Sequence, residues 1–136
     1  MKCIFCEIAS SNAPSFNIYE DNEIISFLDL NPRSPGHTLV IPKAHYENFS
    51  EMTPAIFSAF FSRLQIIAMR VEKALGADGY NLICNNGRAA GQTVFHCHFH
   101  IIPRFYDDNL RFKMPILNYD NQKFKSTAEL IKNTEL

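Results

Sequence analysis

The chain has 136 residues, 46% of them hydrophobic and 20% charged, with thirteen Lys and Arg against fourteen Asp and Glu. That size and composition describe one compact domain with a real core, and the near-neutral charge gives no electrostatic basis for binding a nucleic acid polymer. No apolar run reaches bilayer length and the N-terminus lacks a signal-peptide pattern, so the expected setting is cytoplasmic, with no membrane partner.

A first turn around Cys3–Ile8 precedes a loop containing Ser10, Ser11, Asn12 and Pro14. Two β-rich runs follow, Phe16–Glu20 and Glu23–Asp29, joined by a hairpin turn at Asp21-Asn22. Asn31–Gly36 reads as a loop, and His37–Ile41 as a third strand closed by Pro42. Thr53-Pro54 has the pattern of an N-cap with proline at the first helical position. From there Ile56, Phe60, Leu64, Ile67, Val71 and Leu75 recur at helical spacing up to a stop at Gly76. Tyr80–Cys84 is a fourth strand, Asn85–Gln92 a loop with two glycines, and Thr93–Ile102 a fifth strand ended by Pro103. The fold class is therefore α+β: a mostly antiparallel five-stranded sheet with one long helix packed on it. After residue 105 the pattern weakens. Residues 106–136 are too apolar for a free tail, and read as an extension packed on the body or on a partner, with a short helix over Thr127–Lys132.

The run His96-Cys97-His98-Phe99-His100-Ile101-Ile102 carries three of the five histidines. On a strand, alternation puts His96, His98 and His100 on one face and Cys97, Phe99 and Ile101 on the other. His96 and His100 are then roughly 13 Å apart along the strand, too far to share one metal ion. The three imidazoles must divide their roles. Elsewhere, Cys3-x-x-Cys6 is compatible with half a metal site, with a redox pair or with inert thiols. Cys84 and Cys97 read as small core residues.

This run resembles the H-φ-H-φ-H-φ-φ signature of the histidine triad family. The resemblance extends from Cys3 to about Arg104 and includes Asp29, Pro35-Gly36-His37, Val40–His45 and the lead-in Asn85–Phe95. It implies a catalytic domain over residues 1–105 that binds a nucleotide, with His98 as the nucleophile attacking the α-phosphorus to give a covalent nucleotidyl-histidine. A neutral imidazole is a competent nucleophile near pH 7. The resemblance also implies that His100, Gln92 and Thr93 lie beside the phosphate and leaving group, with Asn85 and Gly91 on the phosphate side. Asp29 is implied to hold the ribose hydroxyls. Phe5, Ile8, Phe27, Leu30 and Val94 would contact the nucleoside, although core packing explains most of these apolar positions equally well.

Part of that family carries a structural zinc, and its ligand pattern is filled here by Cys3, Cys6, His45 and His96. Four protein ligands leave no open position, which makes such a metal structural. The resemblance further implies a homodimer. The leading expectation is hydrolysis of a dinucleoside polyphosphate or a nucleoside phosphoramidate. The alternatives are a nucleotidylyltransferase, whose relatives with this triad are much longer, and a nucleotide-binding scaffold with incidental hydrolysis. The role of His37 stays open.

Overall fold

The computed structural model describes residues 2–136. Helix α1 (Ile4–Ala9) leads into strands β1 (Asn17–Glu20), β2 (Ile24–Leu28) and β3 (Thr38–Pro42). Helix α2 (Pro54–Leu75), β4 (Gly79–Ile83), β5 (Phe99–Arg104) and α3 (Asn121–Lys132) follow. The strands form one sheet in the order β1-β2-β3-β5-β4, antiparallel throughout. At the β1–β2 turn, Asp21 does the work of a turn residue: its carboxylate accepts from the N–H groups of Glu23 and Ile24.

Helix α2 begins at Pro54, as expected, but the Thr53 hydroxyl makes no capping bond. Its end is closed by Gly76 at φ 60°, a left-handed conformation that suits glycine, with N–H groups returning to the carbonyls of Glu72 and Lys73. The buried stripe Ile56, Phe60, Leu64, Ile67, Ala68 and Val71 covers one sheet face, where it meets Ile24, Val40, Cys97 and Ile101. Burial of a side chain such as Phe60 contributes roughly 1.5–3 kcal/mol. On the opposite face Ile25, Phe27, Leu39 and Ile41 pack against Phe5 and Ile8 of α1. Strands β2 and β3 are thus buried on both faces, and the remainder of the second face is left for a cavity. Among the described residues no helix is long and apolar enough to cross a membrane.

The fifth strand differs from its expected span. Thr93–His98 is not in the ladder, and Pro103 lies inside β5 rather than ending it. The cause is the loss of a partner: β4 ends at Ile83, and the chain turns away through Gly87 (φ 83°) and Gly91 (φ 91°). The backbone of Cys97 bonds instead to the carbonyl of Tyr46. Beyond Ile101 the β3 side of β5 is unpaired, so the missing N–H of Pro103 costs nothing there. Facing nevertheless alternates as a strand would demand. Cys97, Phe99 and Ile101 meet the α2 cluster, while the three histidines face the other way.

The final helix is longer than Thr127–Lys132, because Asp120 caps it by accepting from the N–H of Lys123. Much of residues 106–136 is exposed, including Met114, Ile116, Leu117, Leu130 and Ile131.

Candidate active site and metal centre

A cavity of about 520 Å³ opens on the sheet face opposite α2. It is lined by Phe5 and Ile8 from α1, Phe27 and Asp29 at the end of β2, and Leu39 of β3. Asn85, Gly91, Thr93 and Val94 from the β4–β5 connection, and His98 and His100, complete the reacting side. Leu30 sits at its rim, 72% exposed. These expected positions therefore converge on one space.

His98 is buried, and its Nδ1 lies 2.6 Å from the carbonyl oxygen of His96. A carbonyl only accepts, so Nδ1 carries the proton and Nε2 keeps its lone pair. The ring of Phe5 meets His98 edge-on at 5.1 Å between centroids. Burial pushes the His98 imidazole below its ordinary pKa, against the bond to His96 and the charge of Asp29, so the neutral form is favoured.

His37 belongs to this site, and its place fixes the next proton. The N–H of Arg33 donates to His37 Nδ1 at 3.0 Å, which leaves Nε2 as the protonated nitrogen. That Nε2 lies 2.9 Å from His100 Nδ1 and 3.5 Å from an oxygen of Asp29. His100 thus accepts at Nδ1 and carries its own proton on Nε2. Burial, followed by the neighbouring His98 and His37, lowers the His100 pKa to about 4. Asp29, His37 and His100 are close enough to resemble a metal triad. The proton count argues otherwise, because His37 Nε2 donates where a metal would need a lone pair. A sequence signal for this residue existed in the Pro35-Gly36-His37 segment, but its partner is 63 positions away and visible only once β3 and β5 pair.

Gln92 departs from its expected catalytic place. It is buried away from the cavity lining, its amide donating to the carbonyls of Glu47 and Val94 and accepting from the N–H of Gly87. With donors and acceptor consumed, it braces the glycine loop.

A second cluster joins Cys3, Cys6, His45 and His96. Cys3 Sγ and Cys6 Sγ are each 3.5 Å from His96 Nδ1, Cys6 Sγ is 3.3 Å from His45 Nδ1, and the two Nδ1 atoms are 3.3 Å apart. Tetrahedral coordination with ordinary zinc bond lengths puts two nitrogens about 3.3 Å apart and a nitrogen and sulfur about 3.5 Å apart. His96 Nε2 donates to the carbonyl of Pro42 at 2.8 Å, so Nδ1 offers its lone pair to the cluster. Burial, with the bond and charge of Cys3, raises the Cys6 thiol to about 11, so a bound cation would displace a proton there. The residues fit a structural zinc. Of the other cysteines, Cys97 is buried against Met52 and Cys84 is half-buried against the hydrophobic cluster under α2.

Residues 10–107 match the HIT domain. The chain belongs to the HIT family. It is 51% identical over 106 residues to an uncharacterized HIT-like protein of Methanocaldococcus jannaschii, covering 78% of this chain and 81% of that one. It is 40% identical over 129 residues to adenylylsulfatase HINT3 of Arabidopsis thaliana, covering 95% of this chain and 66% of that one. Among solved structures, a Streptococcus mutans protein superposes with a TM-score of 0.91 at 42% identity, covering 96% of this chain and 83% of that one. A histidine triad nucleotide-binding protein of Candida albicans gives 0.84 at 33%, covering 96% and 95%. A zinc-bound histidine triad family protein of Mycobacterium smegmatis gives 0.76 at 36%, covering 99% of each chain. Nucleotide binding and hydrolysis are properties of this HIT family at the level of its members.

Proposed function

We propose that the protein is a nucleotide hydrolase that cleaves at the α-phosphorus of a nucleotidyl substrate through a covalent nucleotidyl-histidine at His98. The observation that carries this reading is the His98 Nδ1 bond to the His96 carbonyl, which leaves Nε2 as a lone pair beside the cavity. Nε2 attacks phosphorus, and the bond to the leaving group breaks with its electron pair departing on the leaving atom, which takes a proton from solvent. Water then attacks phosphorus, loses a proton to solvent, and releases the nucleoside monophosphate and the free imidazole. His100, protonated on Nε2, donates a hydrogen bond to an oxygen of the phosphoryl group as its charge develops. Thr93, Asn85 and the Gly91 loop lie on the phosphate side. Asp29 holds the ribose hydroxyls, and Phe5, Ile8, Phe27, Leu30 and Val94 enclose the nucleoside.

Cys3, Cys6, His45 and His96 hold a structural zinc that ties α1 to the catalytic segment; the zinc-bound relative supports this assignment. The exposed apolar residues of 106–136 are covered in a homodimer, which light scattering would reveal as twice the chain mass. The protein acts in the cytoplasm on a small nucleotide substrate.

The test is turnover of an adenosine phosphoramidate and of a dinucleoside polyphosphate by wild type and by His98→Ala. Wild type should hydrolyse at least one, and His98→Ala should lose activity by on the order of 10⁴-fold or more. Equal activity of the two proteins would contradict the reading.

A further inference from the structure

The cavity wall over β2 and β3 is a separate piece of chain. Helix α1 supplies it through Phe5 and Ile8, which pack with Phe27, Leu39 and Ile41. The helix has 6 residues, fewer than two turns, and a helix that short does not hold itself in water. Its stability has to come from what it docks against.

Polar contacts contribute to that docking at one place. Among the described residues, the hydrogen bonds of segment 2–14 run within the segment: Glu7 N–H to the carbonyl of Cys3, Ser10 to Cys6, Ser11 to Ile8, and Asn12 and Ala13 to Glu7. The exceptions are the sulfurs of Cys3 and Cys6, which meet the imidazoles of His45 and His96 at 3.3 to 3.5 Å. Two buried side chains and this cluster stand against the entropy of ordering the whole segment. Without the cluster, the nucleoside wall is held by apolar contact alone.

The same two sulfurs are placed for oxidation. Cys3 caps the start of α1 and Cys6 lies one turn further on, so the two thiols share a side of the helix and bond to each other. Both are half-buried and the adjoining His45 is exposed, so a small solute reaches them, whereas Cys97 is buried. All four cysteines are free.

We propose that Cys3 and Cys6 form a peroxide-sensitive site: their oxidation to a disulfide releases the metal and undocks α1 from the nucleoside end of the cavity. The inference rests on the zinc and nucleotide assignments proposed above. One thiolate attacks hydrogen peroxide; an S–O bond forms, the O–O bond breaks, and hydroxide leaves and takes a proton from solvent. The second thiolate attacks the sulfenic sulfur; the S–S bond forms, the S–O bond breaks, and a second hydroxide leaves and is protonated. Two thiolates are oxidised and both peroxide oxygens are reduced to water. The disulfide sulfurs carry no charge, which leaves two imidazoles to hold a cation that four ligands held before.

The test uses the full chain loaded with zinc, and adenosine monophosphate as the probe. Hydrogen peroxide should release the zinc, read with a chromogenic chelator, in step with a disulfide that peptide mass mapping places between Cys3 and Cys6. By calorimetry the oxidised protein should bind the probe on the order of tenfold more weakly. The amide hydrogens of α1 should then exchange freely while those of β2 and β3 stay protected. A reductant with added zinc should restore both, and Cys84→Ser should respond as wild type does. A disulfide that forms at Cys84 instead, or an oxidised, zinc-free protein that binds the probe as tightly as the reduced one, would overturn the switch and leave the zinc and nucleotide assignments standing. Reduced protein that takes up no zinc would overturn the metal assignment and the switch together. Reduced, zinc-loaded protein that fails to bind the probe would do the same for the nucleotide reading and the switch.

Discussion

The Cys3–Cys6–His45–His96 cluster and the His37–His98–His100 cluster share a five-residue stretch of chain, yet their imidazoles face different things. His96 and His98 are both held by a backbone carbonyl, of Pro42 and of His96 respectively. In each, that bond assigns the proton to one nitrogen and frees the other. The lone pair of His96 meets two sulfurs and a second imidazole, a closed set suited to a metal. The lone pair of His98 meets an open cavity, a place suited to a reacting atom. What an imidazole does here is decided by what its free nitrogen sees, and the carbonyl of His96 makes the two clusters mechanically one.

The sharpest way to break that coupling is Cys6→Ser. The variant should lose its metal by elemental analysis, and kcat should fall about 10–100-fold, because the His96 backbone no longer holds His98 from behind. Full activity in a metal-free variant would show the clusters to be independent.

The next effect concerns the proton between His37 and His100. His37→Leu removes the donor to His100 Nδ1 and should lower kcat about tenfold with little change in KM, while His37→Gln, which can still donate, should recover part of it. Burial lowers the pKa of both His98 and His100, so activity should persist below pH 6.5 and decline at more acid pH as His98 is protonated. Stability follows the same sign. Below about pH 6.5 the unfolded chain binds more protons than the folded one at His98 and His100, for His100 down to about 4, so stability is full above that window and falls as pH drops through it.

The smallest catalytic effect belongs to Gln92. Gln92→Ala orphans the Gly87 N–H and two carbonyls, and should lower stability by about 1–3 kcal/mol in urea unfolding. Its kcat should change less than that of His37→Leu. A larger loss of kcat than of stability would return Gln92 to the chemistry.

The sequence made the strands, α2 and the histidine alternation legible, because each rests on local periodicity. Val40 and Ile41 mark β3, and Phe60, Leu64 and Ile67 mark α2. The span of β5 was not legible, since Thr93–His98 has strand composition but its partner β4 has already ended at Ile83. The bonds of Gln92 were not legible for a related reason: they run to Glu47, Val94 and Gly87, and nothing in Gly-Gln-Thr announces that its amide is spoken for. The part played by His37 was not legible, because its partner His100 lies 63 positions away on a strand that β3 meets only in the folded sheet. Asp120, by contrast, carried a cap signal that the apolar spacing of the final helix obscured.

In the proposed reaction a nitrogen of His98 becomes bonded to phosphorus. Hydrolysis of a nucleoside phosphoramidothioate of known configuration at phosphorus, run in ¹⁸O-labelled water, tests it most directly. Two in-line displacements, first by His98 and then by water, give a nucleoside phosphorothioate with net retention of configuration. Net inversion would mean that water attacks phosphorus in a single step, and would contradict the account.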